Sequence, residues 1–391
     1  MFLEITKKRN YKLIDISLKL HQQGIIDPNT YVLDLDTIKE NASMLNKEAE
    51  RLGMELFFMT KQIGRNPAVA NAIVEAGIKK AVAVDPWEAI TLSKAGIQIG
   101  HVGHLVQIPK NMIRTILKLN PDYITVFSYE NAKNISDIAN EMGKSQKIFL
   151  RIAEENDYIY YGQEGGFTLS RLFEDIKKLE ALKAVEIAGL TSFPCLLIKE
   201  NKPSVTPNVA SMQKANEFLK EKGYEHLELN MPSATSTETM RLLKEHGATQ
   251  GEPGHALTGT TPLHTEDFLK ERPAMTYVSE VSHVSNKKAY VFGGGFYPRS
   301  HMKCALVGSS STQLKKVPVL QNEPGHIDYY GTLDTDCVHI GDTAIFAFRT
   351  QVFVTHAKIA VIQGLSSSPK LIGIYDSVGN LLSDGQTIDN E

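Results

Sequence analysis

Cysteine is scarce in this 391-residue chain: Cys195, Cys304 and Cys337 are the three, and they lie far apart. Such spacing points to reduced thiols and excludes a disulfide framework. An excess of one charge is also missing. With 42 Lys+Arg against 45 Asp+Glu the net charge is −3, so nothing recommends nucleic acid or an anionic membrane as a partner. No apolar run reaches the length of a membrane span. The opening Met1-Phe-Leu-Glu-Ile-Thr-Lys-Lys8 lacks the apolar stretch and small-residue cleavage site of a secretory signal. A cytoplasmic protein is expected. No Gly-x-Gly-x-x-Gly follows the first strand, which removes the main support for a dinucleotide-binding sheet.

What the chain does have is a rhythm. Strand-like runs occur at 55–61, 80–85, 99–104, 123–128, 147–153, 185–193 and 226–231, with a short eighth around Thr249 to Gly251. Helical patterns such as Pro86 to Lys94, Tyr129 to Met142 and Val209 to Lys222 lie between them, many closed by glycine. Eight strands alternating with helices over about 210 residues meet the requirement of a closed (β/α)8 barrel. The expected organisation is a helical lead-in over 1–29, a barrel over 30–265 opening on Tyr31 to Asp36, and an all-β domain over 266–391. In that last domain, strands are expected at 275–284, 288–292, 343–348, 351–355 and 358–362, with a glycine run at 293–295 and a loose polar tail after Gly379.

The barrel places chemistry at the C-terminal ends of its strands. Glu55-Leu-Phe-Phe-Met-Thr-Lys61 puts a lysine at the end of a buried strand, where desolvation lowers an amine's pKa and suits it to Schiff-base formation. A lysine reaching back to solvent or paired with a carboxylate is the plainer reading. After strand seven, Asn230-Met-Pro-Ser-Ala-Thr-Ser236 brings Ser233 and Thr235 to the start of a helix, either as caps or as a phosphate cradle. After strand eight, Glu252-Pro-Gly-His255 offers a turn at Gly254 that lets backbone approach a ligand, beside a carboxylate that faces either that ligand or solvent. His101 and His104 invite a metal, but residues three apart on a strand point to opposite faces and are poor co-ligands unless the chain turns between them, so His104 is expected as a lining or hydrogen-bonding residue. Cys337 and His339 share a strand face without a second ligand pair. No metal is expected.

Taken together, Phe57-Phe-Met-Thr-Lys61, His101-Val-Gly-His104, Phe193-Pro-Cys195, Pro232-Ser-Ala-Thr-Ser236 and Glu252-Pro-Gly-His-Ala-Leu-Thr-Gly259 resemble the fold-type III pyridoxal-phosphate (PLP) enzymes. Within these they resemble the YhfX type of alanine-racemase-like bacterial protein, and the resemblance covers about residues 30–391. It implies that Lys61 holds PLP as a Schiff base. It implies that Ser233, Thr235, Gly254 and His255 hold the phosphate, joined by Tyr375 from Gly373-Ile-Tyr375. Glu252 falls where decarboxylases of this group have a glutamate facing the pyridine nitrogen and alanine racemases an arginine. A glutamate keeps that nitrogen protonated, so the ring takes up a full negative charge. Ser192 stands where alanine racemases have a histidine, and no Gly-Tyr-Gly segment supplies their tyrosine base. His283 is the acid/base residue offered in its place. The His-x-Cys zinc pair of the D-serine dehydratase relatives is missing after Gly341-Asp342. Arg349 there either clamps a substrate carboxylate or orders the sheet edge. The resemblance implies a PLP enzyme acting at Cα of an amino acid or amine, first a racemase or epimerase, second a decarboxylase or lyase. A non-catalytic PLP carrier is the rival, and a homodimer is expected.

Overall fold

The computed structural model describes residues 2–388 apart from 266–268, 294–299, 301, 324–325 and 328. The chain divides into two compact units, one formed by Leu45–Thr60 and Gly77–Gly254, the other by Met1–Met44, Lys61–Ala76 and His255–Glu391.

The order of elements is α1 (Phe2–Arg9), α2 (Tyr11–Gln22), β1 (Thr30–Asp34), α3 (Leu35–Leu52), β2 (Glu55–Met59), α4 (Pro67–Glu75), β3 (Lys80–Ala83), α5 (Pro86–Lys94), β4 (Gln98–Val102), α6 (Ile113–Lys118), β5 (Tyr123–Val126), α7 (Tyr129–Glu141), β6 (Gln146–Arg151), α8 (Leu169–Glu180) and β7 (Val185–Thr191). Then come β8 (Leu196–Lys199), β9 (Lys202–Val205), α9 (Pro207–Glu221), β10 (Glu228–Asn230), α10 (Met240–Glu245) and β11 (Gln250–Gly251). Nine strands follow: β12 (Met275–Ser285), β13 (Lys288–Phe292), β14 (Cys304–Gly308), β15 (Lys315–Leu320), β16 (Tyr330–Leu333), β17 (Thr343–Phe346), β18 (Lys358–Gln363), β19 (Lys370–Tyr375) and β20 (Leu381–Thr387).

In the first unit β2, β3, β4, β5, β6, β7, β10 and β11 pair in parallel and close into a barrel, the expected fold class. Its strands read as apolar runs because helices cover them outside and side chains fill them inside. Within the barrel, Phe57, Met59, Val82 and Val84 form one cluster, and the Tyr123 ring stacks on Phe149 at 4.2 Å. Gly100 is bare because Phe57 fills its place: a Cβ there would lie 2.3 Å from that ring. The hairpin β8–β9, turning at Glu200 and Asn201 with positive φ, is inserted after β7 and was not expected from the sequence.

The second unit holds a ten-stranded sheet ordered β13-β16-β15-β14-β17-β12-β1-β18-β19-β20. A further β12–β13 pairing closes six of these strands on themselves. Helices α1 and α2 bury Phe2, Leu3, Ile14 and Leu18 against Leu306 and Ile345, and Leu13, Ile16 and Leu20 against Val278, Ala360 and Ile362.

Three expectations are corrected here. The strand at Tyr31 does not open the barrel: it lies between β12 and β18, so sheet membership does not follow the linear boundary at residue 30. The segment at 351–355 is a 3-10 turn over Val352–Val354, not a strand. Within the stretch after Gly379, Leu381–Thr387 is not loose but forms β20, paired with β19, while 389–391 lie outside the described residues. Of the glycine run, residues 294 and 295 lie outside the described residues.

Candidate active site

Lys61 stands two residues beyond the end of the barrel strand β2 and opens a 3-10 turn, Lys61–Ile63. The chain on either side of it is fixed. The Thr60 hydroxyl donates to Glu88 Oε1 at 2.6 Å, and Glu88 Oε2 accepts from the Val84 N–H at 2.8 Å in the cap of α5. Beyond the turn, Asn66 caps α4 by accepting from Val69 N–H at 3.1 Å, with Pro67 in the first turn. In the Lys61 unit, the Thr350 hydroxyl donates to the Gln62 carbonyl at 3.1 Å, and the Thr350 carbonyl accepts from His255 Nε2–H at 2.9 Å. This bond sets the His255 tautomer. Burial first, then the charges of Arg349 and Lys61, hold its pKa well below the usual histidine range, so the ring is neutral. Lys61, His255 and Arg349 are thus electrostatic neighbours within one unit.

The barrel unit carries a second group. The Glu252 carboxylate is buried. Its Oε1 accepts from His101 Nδ1 at 2.6 Å and from Asn230 Nδ2 at 3.0 Å, and its Oε2 lies 3.7 Å from His104 Nε2. His101 Nε2 meets the Thr125 hydroxyl at 2.5 Å. Burial alone would raise the Glu252 pKa. The adjoining imidazoles of His104 and His101 outweigh it, with the hydrogen bonds from His101 and Asn230, and the net direction is downward. Glu252 is therefore ionised. Its Oε2 makes no hydrogen bond among the described residues, although it is out of water. The Met59 N–H donates to the Pro253 carbonyl at 2.9 Å, tying the end of β2 to this loop.

The exception allowed for His101 and His104, a turn of the chain between them, is what the structure has. Gly103 has φ +86°, so the chain turns after β4 and the two rings stand 5.6 Å apart on one side, with Glu252. Ligand atoms of the three lie within 4.8 Å of one another, a spacing open to a divalent cation, while both His101 nitrogens have hydrogen-bond partners. A Cβ at Gly103 would lie 3.0 Å from the Thr125 carbonyl in a backbone region unfavourable to L-residues. Gly103→Ala is expected to cost about 1–3 kcal/mol and to move His104, checked by denaturant unfolding and by the His104 imidazole NMR signals.

The other residues are placed as follows. The Ser233 hydroxyl donates to the Leu196 carbonyl at 2.5 Å, which leaves it only as an acceptor. Thr235 Oγ1 accepts from the Glu252 N–H at 3.2 Å and keeps its own proton to donate. Helix α10 begins only at Met240, so neither residue caps it. Ser233 and Ala234 have φ of +135° and +46°, a loop whose backbone turns sharply beside Thr235. Ser192 is buried, donating to the Ile152 carbonyl at 2.8 Å and accepting from Asn208 at 3.2 Å. Gly254 is buried at the junction to His255. Tyr375 ends β19, its pKa raised by burial and then by Asp384. His283 stacks on Tyr290 with ring centroids 4.5 Å apart and meets the Tyr330 edge, a cluster at the β12–β13 hairpin. Asn230, Thr125 and His101 were missed as members of the site. The signal available for Asn230 was a polar residue ending an apolar strand run.

Among the described residues no helix is long and apolar enough to cross a membrane. The model of the alanine racemase N-terminal domain matches residues 33–262, and that of the YhfX-like C-terminal domain matches residues 276–371. The chain is 39% identical over 386 residues to the uncharacterized protein YhfX of Escherichia coli (strain K12), covering 98% of this chain and 100% of the relative. Among solved structures it resembles an alanine racemase of Clostridium difficile 630 (TM-score 0.65, 15% identity, 90% and 100% of the two chains). It also resembles the D-threonine aldolase of Filomicrobium marinum (TM-score 0.68, 15% identity, 90% and 95%). A third likeness is to a diaminopimelate decarboxylase of M. jannaschii (TM-score 0.60, 14% identity, 92% and 90%). These are fold-type III PLP enzymes.

Proposed function

Because the chain belongs to the alanine racemase N-terminal family and carries a YhfX-like C-terminal domain, we propose that it is a PLP-dependent enzyme acting at Cα of an amino acid or related amine. The observation that carries this reading is the buried, ionised Glu252, with Oε1 held by two donors and Oε2 left without a hydrogen bond. A buried carboxylate oxygen in that state calls for a donor from a ligand. The protonated ring nitrogen of PLP is such a donor, and the residues present fit the group.

When bound, PLP draws electrons away from Cα of an amine attached to it. In this reading Lys61 would hold PLP covalently through its Nζ, and the same Nζ would move the proton at Cα of the substrate. Glu252 holds the ring nitrogen in its protonated form. Thr235 donates its hydroxyl proton to the phosphate, with backbone around Ser233 and at Gly254 and His255. His255, kept neutral, adds no charge beside Lys61. Arg349 orients the substrate, His283 is the candidate second acid/base, and His104, Ser192 and Tyr375 line the cofactor.

Racemisation or epimerisation comes first, because a lysine with one further acid/base is the smallest apparatus that needs no metal. Decarboxylation or elimination is the alternative within the same fold. A small-molecule amino acid or amine substrate, a homodimer and a cytoplasmic location complete the proposal. The test is a screen of D- and L-amino acids in deuterium oxide with cofactor-loaded protein. Deuterium at Cα with inverted product supports a racemase, and deuterium or carbon dioxide release without inversion moves the reading to a lyase. Exchange with no amino acid or amine tested contradicts the enzymatic reading.

A further inference from the structure

Two histidines and a glutamate meet inside the barrel unit, and the chemistry assigned to Lys61 uses little of what they offer. His101 lies in β4, His104 follows the turn at Gly103, and Glu252 follows β11. All three are buried, with exposures of 0%, 1% and 4%. The turn that brings the second imidazole round is pinned. Gln107 Nε2 donates to the Gly103 and Thr125 carbonyls, each at 2.9 Å, which ties the His104 turn to β5. Aromatic rings wall both imidazoles: Phe149 stands 5.2 Å from His101 and Phe193 5.3 Å from His104, centre to centre. The three side chains are therefore held in place and kept from water. One ligand atom from each lies within 4.8 Å of the others.

The two contacts of the carboxylate differ in kind. His101 Nδ1 to Glu252 Oε1, at 2.6 Å, is a hydrogen bond. His104 Nε2 to Glu252 Oε2, at 3.7 Å, is too long for one. Two ligands about 2.0–2.2 Å from a tetrahedral zinc ion stand roughly 3.4 Å apart, close to that gap. Glu252 Oε2 is buried and makes no hydrogen bond among the described residues, so this oxygen still calls for a positive partner. Two imidazoles and a carboxylate with a fourth position left for water are a zinc set, whereas magnesium and calcium take oxygen ligands in larger number. His101 can join such a set without losing its anchor. Its Nε2 meets the Thr125 hydroxyl at 2.5 Å. A hydroxyl both donates and accepts, so the ring proton can move to Nε2 and donate to Thr125 Oγ1. Nδ1 then presents its lone pair to a cation that takes the place of the proton shared with Glu252. Ligating histidines are commonly held in this way, by an oxygen at the other ring nitrogen. Asn230, donating to Glu252 Oε1 at 3.0 Å, steadies the carboxylate from behind.

We propose that His101, His104 and Glu252 form a binding site for a divalent transition-metal cation of the zinc kind, and that this cation and PLP exclude one another. The cation takes no part in the reaction. It binds Glu252 Oε2, the oxygen assigned to the ring nitrogen of PLP, so the site holds one group or the other. Bound zinc would thus keep the protein in a cofactor-free, inactive form. That the excluded group is PLP rests on the proposed function. The cation site itself does not.

The experiment titrates zinc chloride into untagged full-length protein freed of cofactor, by calorimetry at neutral pH, with magnesium chloride as the control. Wild type should bind one zinc per chain and give no binding heat with magnesium. His104→Gln removes a ligand and should bind zinc roughly a hundredfold or more weakly. Thr125→Val removes only the hydroxyl that holds His101 and should weaken zinc roughly ten- to a hundredfold. Absence of zinc heat in wild type, or an affinity unchanged in either variant, would overturn the site. If His104→Gln does not fold, Thr125→Val decides by the same criterion. Wild type loaded with PLP should lose the zinc heat, and protein first loaded with zinc should take up PLP with diminished visible absorbance. Equal zinc affinity with and without bound PLP would overturn the exclusion. A protein that binds zinc through His104 but takes up no PLP when zinc is absent would sink the proposed function and leave the cation site standing.

Discussion

Lys61→Ala is expected to abolish both the visible absorbance of the cofactor-loaded protein and Cα deuterium incorporation, lowering turnover by roughly a thousandfold or more. The reason is local. Lys61 follows the buried strand Glu55–Met59, and the residues around it are fixed by Thr60 bonded to Glu88 and Asn66 capping α4. Its amine stands where His255 is kept neutral by burial and by the charges of Arg349 and Lys61. Lysine is half-buried at this place, so alanine removes the nucleophile at little cost to the fold. Unfolding of the mutant should stay within about 1 kcal/mol of wild type. A mutant that stays coloured and active would assign the Schiff base elsewhere.

Glu252 should show the second large effect, split between two substitutions. Glu252→Gln keeps shape and an acceptor for His101 and Asn230 but removes the charge that the ring nitrogen needs, so turnover should fall roughly a hundred- to thousandfold. Glu252→Ala also strips the acceptor from two buried donors, His101 Nδ1 and Asn230 Nδ2, and should cost about 3–5 kcal/mol. The sign with pH follows from the lowered pKa. The stabilisation by ionised Glu252 is complete above the ordinary carboxylate range and is lost as pH falls through its folded value. Urea unfolding of Glu252→Gln between pH 7 and 3 should therefore show a shallower acid loss than wild type. An equal loss in both would mean that the carboxylate is not held as described.

The barrel was legible because its strands are apolar runs of fixed kind, each followed by a helix with a clear cap or a closing glycine. The sheet of the other unit was less so. β1 finds its parallel neighbour β18 more than three hundred residues away, a pairing no local pattern announces. β20 is exposed along its length and mostly polar after Leu381 and Leu382, so its alternation carries no signal. The positions of Lys61 and Glu252 in the fold could be read because strand ends and turns mark them. The joint approach of His101 and His104 was only a condition on the chain turning between them, because the sequence does not say whether period-two alternation ends at Gly103, where φ is positive.

Borohydride reduction of the PLP-loaded protein, followed by peptide mapping, bears most directly on the central claim. A pyridoxyl group fixed on Lys61, in the peptide that spans Met59 and Asn66, is the expected result. A group fixed on another lysine, or none fixed at all, would contradict it.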